Sequence, residues 1–327
     1  NFTGGTIEGN IIHEVEKNCG AGVLIGEQGT FNMSGGTIKD CTTQAKDSKP
    51  SRGIGVYVAG GASASKGTFN MTGGTIENCK PCSGHTADGG GVYMGAGAVF
   101  TMKKYARVTP STGSEANGKG KNDIYLANGA KITINEKLES SAVARITPGS
   151  YPTSATPDIR VLQNPTGNTT NVAENYFKFT VTRDSNTNTA YCVNEAGLIW
   201  QQVDTSSAYG QTDNNWAKLK AAIESAATNT VIYVRDVCYA NSATDTITVD
   251  NKTITLIGVT SERVSLNASD QQCRIFTIKN GGKLTIKNME LEKGQATDGK
   301  GGGGILLEND GNPTSLTLEN VSITSCY

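Results

Sequence analysis

The chain has 327 residues, including 40 Gly, 8 Pro, 8 Cys and 2 His, and its formal net charge is −1. The near-zero charge gives no electrostatic signal for nucleic-acid binding, no apolar run approaches the ~18 residues of a membrane-spanning helix, and two histidines leave little material for His-based catalysis. Glycine makes up about 12% of the residues, against a usual share of about 7%. Together with alternating apolar residues, this glycine content indicates short strands joined by tight turns.

One motif recurs along the first third of the chain. Residues 31–41 read Phe-Asn-Met-Ser-Gly-Gly-Thr-Ile-Lys-Asp-Cys, and residues 69–79 read Phe-Asn-Met-Thr-Gly-Gly-Thr-Ile-Glu-Asn-Cys, a shift of 38 residues. Partial copies begin at Phe2 and Phe100. A second glycine-rich piece precedes the complete copies and reads Gly-Gly-Gly-Val-Tyr-Met at 89–94. Such self-similarity at a fixed period is the signature of repeat architectures.

The last third of the chain carries the same apolar pattern with fewer glycines. Residues 284–291 and 316–326 alternate apolar and polar side chains, and the second segment ends in Cys at the motif's last position. A run of four glycines, 301–304, lies between them. The two ends of the chain are therefore predicted to share one architecture.

Each motif copy predicts two short strands around a glycine corner. Alternation of apolar and polar residues is strand periodicity, and a Gly-Gly pair permits a turn that a side chain would obstruct. The predicted inward-facing core residues are Phe31, Met33, Ile38, Phe69, Met71, Ile76, Leu284, Ile286, Leu316, Leu318 and Ile323. The predicted corner glycines are Gly35, Gly36, Gly73, Gly74, Gly90, Gly91, Gly303 and Gly304.

These strands predict an all-β fold built from right-handed parallel β-helix (solenoid) units. Three short strands with corners make one coil, successive coils stack at roughly 4.8 Å, and stability comes from stacking because one coil cannot bury its own apolar face. A β-propeller or a β-sandwich is a weaker interpretation, since both need longer antiparallel strands.

The composition changes along the chain and predicts three regions. Residues 1–135 are predicted as the C-terminal coils of a first β-helix, and residues 136–204, where glycine pairs stop and prolines cluster, as a β-rich cap or connector. Residues 205–327 are predicted as the start of a second β-helix. Apolar spacing over 213–227 predicts one short helix that caps this second unit, with Asp213 as its N-cap.

The Phe-x-Met-(Ser/Thr)-Gly-Gly-Thr-Ile and Gly-Gly-Gly-Val-Tyr pieces resemble those of bacterial right-handed parallel β-helix surface proteins. These proteins are pectate-lyase-like in fold and adhesin-like. The resemblance implies secretion and display at the cell surface, without implying one ligand or one reaction. Because the chain opens and stops inside motif copies, we expect it to be a fragment of a longer protein with tandem units.

Residues that would carry catalysis or bind a metal are scarce. Hydrolases of this fold carry an Asp-Asp pair, a Gly-His-Gly and an Arg-Ile-Lys, whereas this chain offers Gly-His-Thr at 84–86 and Arg-Ile-Phe at 274–276. Asp88 and Asp298 each precede a glycine run once, which predicts turns rather than a Ca²⁺ ladder. No catalytic residue, cofactor or metal is therefore predicted.

The cysteines of the motif allow three interpretations. Cys41 and Cys79 share one motif position on adjacent coils, and a stacking distance of ~4.8 Å falls within the ~4.4–6.8 Å range of disulfide Cα atoms. A ladder of buried thiols fits equally well, because Cys packs as a small hydrophobe. A bond between Cys79 and Cys82 would exclude the first pairing.

The function predicted from these observations is structural and adhesive. We expect an extracellular stalk or fibre on a bacterial surface, with loops at 42–52 and 80–88 presented to a surface glycan, a protein or another copy of the chain. Two alternatives are a polysaccharide-degrading lyase or hydrolase and a self-assembling filament subunit. Neither a nucleic-acid partner nor a membrane span is expected.

Overall fold

The protein is described here from a computed structural model. The structure describes the residues 1–12, 20–44, 50–62, 65–110, 119–153, 155–187, 189–201, 215–234, 237–259, 264–269, 271–308 and 311–327. The chain is strand-rich and divides into two compact units, Asn1–Trp200 and Gln201–Tyr327.

The first unit consists of short strands, and the last of them reaches the unit boundary. They are β1 (Thr6–Glu8), β2 (Ile11–Ile12), β3 (Val23–Ile25), β4 (Thr30–Met33), β5 (Thr37–Lys39), β6 (Thr42–Thr43), β7 (Ser51–Arg52), β8 (Val56–Val58), β9 (Thr68–Met71), β10 (Thr75–Glu77), β11 (Ala87–Asp88), β12 (Val92–Met94), β13 (Val99–Lys104), β14 (Arg107–Val108), β15 (Ile124–Leu126), β16 (Ile132–Leu138), β17 (Ala144–Pro148), β18 (Leu162–Gln163), β19 (Phe179–Val181), β20 (Tyr191–Val193) and β21 (Ile199–Gln201).

Strands of the first unit pair with strands one repeat earlier and one repeat later. Three parallel sheets run in the orders β1-β5-β10-β14, β4-β9-β13-β16-β18 and β3-β8-β12-β15-β17-β19, and β20 and β21 extend the third of these sheets. Equivalent motif residues lie directly opposite each other, so that Phe69 pairs with Phe31 on one side and with Phe100 on the other. This arrangement of many parallel sheets is compatible with a β-helix-like fold.

The core of the first unit is a set of ladders made of equivalent side chains. Phe31, Phe69 and Phe100 stack with ring centroids 5.5 and 4.8 Å apart. The predicted core residues of 33–76 are fully buried, namely Met33, Ile38, Phe69, Met71 and Ile76, while Phe31 is half-buried. Cross-strand pairs of aromatic rings on one face stabilise a sheet beyond the burial of their area.

Glycine corners join the motif strands. Gly36 and Gly74 have φ values of 79° and 85°, the left-handed region that a side chain disfavours. Polar residues take the same conformation at the motif's next corner, where Asp40 and Asn78 have φ values of 54° and 51° and the Asn78 amide donates to the Asp40 carboxylate. The conformation there is tolerated because Asn and Asp are the side chains most compatible with it.

The described strands between residues 136 and 201 continue the parallel sheets of the residues before them. Strand β17 pairs with β15, β19 pairs with β17, and both pairings are parallel. The following pair, β19 with β20, is antiparallel at Thr180 and Cys192. The predicted boundaries at 135 and 204 stay predictions.

Among the described residues after Gln201, the first element of the second unit is an α-helix, α1 (Asn215–Ser225). The predicted N-cap, Asp213, lies outside the described residues. Trp216, Leu219 and Ile223 are spaced to share one face of the helix and are fully buried. The Trp216 indole Nε1 donates a 2.6 Å hydrogen bond to the Asp245 carbonyl. The helix packs against the strands Cys238–Tyr239 and Ile247–Asp250.

The strands of the second unit form three parallel sheets. They are β22 (Thr230–Val234), β23 (Cys238–Tyr239), β24 (Ile247–Asp250), β25 (Thr253–Gly258), β26 (Val264–Asn267), β27 (Phe276–Lys279), β28 (Lys283–Lys287), β29 (Met289–Glu292), β30 (Ile305–Leu307), β31 (Ser315–Glu319) and β32 (Ser322–Thr324). The sheet orders are β22-β25-β28-β31, β23-β26-β29-β32 and β24-β27-β30.

The predicted core residues of this unit differ in burial according to their strand. Leu284 and Ile286 on β28 are buried, and Leu316 on β31 is half-buried. Leu318 and Ile323 keep the predicted register but are 41% and 43% exposed. Their exposure follows from the position of β31 and β32, which are the last strands of their sheets among the described residues.

Candidate functional site

A row of tyrosines lines the outward face of the longest sheet of the first unit. Tyr57, Tyr93 and Tyr125 are the middle residues of β8, β12 and β15, and their neighbours on each strand point into the core, because side chains alternate along a strand. The rings of Tyr57 and Tyr93 stack with centroids 5.2 Å apart, and those of Tyr93 and Tyr125 are 5.4 Å apart. We call these three residues the tyrosine ladder.

The tyrosine ladder ends where threonine replaces tyrosine. Leu126 pairs with Pro148 and Tyr125 with Thr147 across β15 and β17. Continuing that register, Ile146 pairs with Val181 across β17 and β19. The side chains of Thr147 and Thr182 meet on this face, with their hydroxyl oxygens 2.6 Å apart. The loss of ring volume leaves a cavity of about 540 Å³, which we call the threonine cavity.

Aromatic rings form two sides of the threonine cavity. Tyr125 lines it at the end of the ladder, and Tyr151 and Tyr191 line it from the segments that follow β17 and β19. The rings of Tyr151 and Tyr191 have centroids 5.0 Å apart and are tilted by 34°. The Tyr151 hydroxyl donates a 2.7 Å hydrogen bond to the Thr182 carbonyl, which fixes the segment to the sheet.

A buried carboxylate orders the floor of the threonine cavity. Asp123 is fully buried, and its Oδ1 accepts a 2.8 Å hydrogen bond from the Gly90 backbone N–H. Its Oδ2 accepts a hydrogen bond from the Thr147 hydroxyl. The Thr147 proton is therefore engaged, so the Thr182 hydroxyl acts as donor in the bond between the two threonines.

A second carboxylate lies on the rim. Asp184 lines the cavity and accepts hydrogen bonds from the Asn186 backbone N–H at 2.9 Å and from the Thr187 hydroxyl at 2.8 Å. Burial, with Asp184 nearby, raises the pKa of Tyr151 and of Tyr191 above the ordinary tyrosine value. Both phenols therefore stay protonated at neutral pH.

Two cations lie over the tyrosine ladder. The guanidinium carbon of Arg52 is 5.3 Å from the centroid of the Tyr93 ring, and Lys119 Nζ is 5.3 Å from that of Tyr125. Lys119 also forms a 2.7 Å ion pair with Asp88, a residue of β11. These contacts hold the exposed edge of the ladder in place.

The cysteines predicted as a disulfide or a thiol ladder are free thiols in the structure. Cys41 and Cys79 are fully buried at equivalent positions after β5 and β10, and Cys82 is half-buried. A hydrogen bond with Cys41, together with burial, raises the pKa of the Cys79 thiol. Each of the first two cysteines packs against a glycine, since a Cβ added to Gly22 would lie 3.4 Å from the Cys41 sulfur and one added to Gly55 would lie 3.2 Å from that of Cys79. The choice among the predicted pairings stays a prediction.

The predicted corner glycines lie where backbones approach each other. A Cβ on Gly35 would lie 2.4 Å from the Thr3 carbonyl oxygen, and one on Gly73 would lie 2.4 Å from that of Ser34. The other predicted corners are also tight, with a protein atom within 3.1 Å of an added Cβ at Gly36, Gly74, Gly90, Gly91, Gly303 and Gly304. These residues are part of the scaffold and do not line the threonine cavity.

The predicted contact loops are only partly described. Residues 45–49 of the loop 42–52 lie outside the described residues, and the two ends of that loop form β6 and β7. The second loop, 80–88, ends in β11, which pairs with β7 in parallel. Within the described ranges, no helix is long and apolar enough to cross a membrane. In the same part of the chain, no group of three or more His, Cys, Asp or Glu side chains is placed to hold a metal ion.

Sequence reasoning did not identify the tyrosine ladder or the threonine cavity. The signal for the ladder is the Tyr at the centre of Val-Tyr-Val, Val-Tyr-Met and Ile-Tyr-Leu at 56–58, 92–94 and 124–126. The cavity has no such repeated signal, because Tyr151 and Tyr191 come from segments that lack the motif. No protein-family profile, curated protein or solved structure matches the chain.

Proposed function

We propose that each unit is a right-handed parallel β-helix and that the protein is a structural and adhesive component of a bacterial surface. In-register parallel pairing supports the first part, because strands one repeat apart place Phe opposite Phe and Tyr opposite Tyr through successive sheets. Such stacking builds length from nearest-neighbour contacts and gives a rigid scaffold.

The observation that carries the adhesive part is the threonine cavity on the outside of this scaffold. It has a volume of about 540 Å³, within the roughly 300–1,000 Å³ of small-molecule sites, and combines aromatic rings with convergent polar groups. Its walls belong to strands held in sheets and to segments tied down by hydrogen bonds, so it is already formed. A preformed site on a rigid support suits recognition of a ligand at a surface.

The same geometry favours binding over polysaccharide cleavage. Glycoside hydrolysis uses two carboxylates that flank the scissile bond at about 5–9.5 Å. Asp184 is the carboxylate among the described residues that line the cavity, and Asp123 lies behind Thr147 with both oxygens engaged. An extracellular location and a partner at a cell surface, whether glycan, protein or another copy of the chain, belong to this proposal.

The test is to measure binding and turnover on the same purified protein. We expect discrete binding on a glycan array, and no release of reducing ends or unsaturated products from acidic and neutral polysaccharides. Heat-unfolded protein is the control for non-specific adsorption. Product release would overturn the adhesive proposal in favour of a carbohydrate-active enzyme, and regular filaments in electron micrographs, without array binding, would favour the filament alternative.

A further inference from the structure

We propose that the threonine cavity binds one uncharged pyranose ring, which stacks on Tyr125 and donates hydroxyl hydrogen bonds to the cavity wall. This inference rests on the adhesive function proposed above and names the ligand class of its site. The ladder, the hydrogen-bond inventory and the charges around the cavity each support it.

The first support is that the two faces of the Tyr125 ring are covered by side chains of different size. On one side, the Tyr93 ring stacks on it at 5.4 Å with an interplanar angle of 4°. On the other side, the next residue of the outward row is Thr147, whose side chain is too small to cover an aromatic ring. Lys119 Nζ also lies over the Tyr125 ring, 5.3 Å from its centroid, so a sugar stacked there would contact this ammonium as well. The flat C–H face of a pyranose is apolar, so it can take the position that the next tyrosine of the row would fill.

The second support is that the cavity is rich in acceptors. The protons of the Thr147, Thr182 and Tyr151 hydroxyls are already donated within the protein. The oxygens of Thr182 and Tyr151 keep lone pairs, and the two oxygens of Asp184, which accept hydrogen bonds from Asn186 and Thr187, have room for more. A ligand that fits such a wall must bring several donors of its own, as the hydroxyl groups of a sugar do.

The third support is the balance of charge. Three charged side chains among the described residues line the cavity: Lys119, Arg183 and Asp184. Two are cationic and one is anionic, and both cations already have partners in the protein. Lys119 is paired with Asp88 at 2.7 Å, and Arg183 also has an interaction partner. A uronate carboxylate would therefore have to compete with Asp88 for Lys119, whereas an uncharged sugar leaves that ion pair intact.

The experiment uses the full chain and a panel of simple probes. Methyl glycosides of glucose, galactose, mannose and N-acetylglucosamine are compared with galacturonate by saturation-transfer NMR, and dissociation constants are measured by titration. We expect at least one uncharged glycoside to bind more tightly than galacturonate. The Tyr125→Leu variant removes the aromatic face and should weaken that binding at least tenfold.

Tyr57→Leu is the matched control, because Tyr57 occupies the same position at the other end of the ladder and does not line the cavity. It should bind within twofold of the unchanged protein. If Tyr125→Leu does not fold, Tyr151→Phe replaces it, since this variant removes only one lining oxygen and should weaken binding several-fold.

Three outcomes would overturn the inference: equal weakening by the Tyr57 and Tyr125 variants, tighter binding of galacturonate than of every uncharged glycoside, or no binding by any probe. The last outcome leaves the adhesive proposal standing if the glycan array or a surface protein still binds. Loss of both kinds of binding would refute the two proposals together.

Discussion

Replacing Gly55 with alanine tests the close packing of strands that supports the tyrosine ladder. Gly55 precedes β8, and a Cβ there would lie 2.5 Å from the Gly91 carbonyl oxygen. It would also lie 3.0 Å from Ile76 Cγ2 and 3.2 Å from the Cys79 sulfur. The Gly91 oxygen accepts a 2.9 Å hydrogen bond from the Val56 N–H, so the methyl group must displace a paired backbone carbonyl.

The expected cost of Gly55→Ala combines overpacking with a weakened hydrogen bond. Inserting an extra carbon into a packed core costs about 1–3 kcal/mol, and a typical backbone hydrogen bond contributes about 0.5–1.5 kcal/mol. We expect a loss of about 2–3 kcal/mol in the free energy of unfolding. For a unit the size of Asn1–Trp200, this corresponds to a fall in Tm of about 5–10 °C.

The assay is thermal and urea unfolding followed by circular dichroism, with Gly26→Ala as the matched control. Gly26 also lies beside a strand of the same sheet, and a Cβ there would have no protein atom within 4 Å. The control should change stability by less than about 0.5 kcal/mol. Equal stability of the two variants would refute the reasoning, because it would mean that the backbones at Gly55 and Gly91 are not in close contact.

Two further predictions follow from the same structure. Phe69→Ala should lower the free energy of unfolding by about 3–5 kcal/mol, since Phe69 is fully buried between two stacked rings. Phe31→Ala should lower it clearly less, because Phe31 is half-buried. Equal losses for the two variants in urea unfolding would contradict the stacking of these rings. Arg274, which donates to both oxygens of Asp298 at 3.1 and 2.8 Å, holds the pKa of that carboxyl at about 2. The ion pair should therefore be complete above about pH 4 and lost as the pH falls towards 2. Arg274→Leu should move the NMR titration midpoint of the Asp298 carboxyl up towards ~3.9. A midpoint that does not move would exclude this ion pair.

The repeat made part of the fold predictable from the sequence. Apolar alternation in Phe-Asn-Met and Thr-Ile-Lys placed strands at 31–33 and 37–39, and the structure has β4 and β5 there. The helix is also where spacing predicted it: within the described residues it runs over Asn215–Ser225 and ends two residues before the predicted end at 227. These features are local, because the pattern of side chains within a few residues decides them.

The threonine cavity was not predictable in the same way. It depends on which residue pairs with Tyr125 on the next strand of the sheet, and the number of residues between paired strands changes after residue 135. Thr147 meets Tyr125 only 22 residues on, whereas Phe69 follows Phe31 after 38. The exposure of Leu318 and Ile323 was not predictable either, since their sequence pattern specifies only a face of the strand, and β31 and β32 are the last described strands of their sheets.

The pairing of Phe with Phe and Tyr with Tyr has a consequence for how a gene of this kind changes. Recombination that adds or removes one whole period joins equivalent positions of the repeat. The stacked phenylalanines and the tyrosine ladder therefore continue across the new junction without any change of side chain. A junction that is displaced by one residue turns the apolar set towards solvent. Variation in length by complete periods should therefore be nearly neutral for the scaffold, while the threonine cavity at the end of the tyrosine ladder is carried along unchanged.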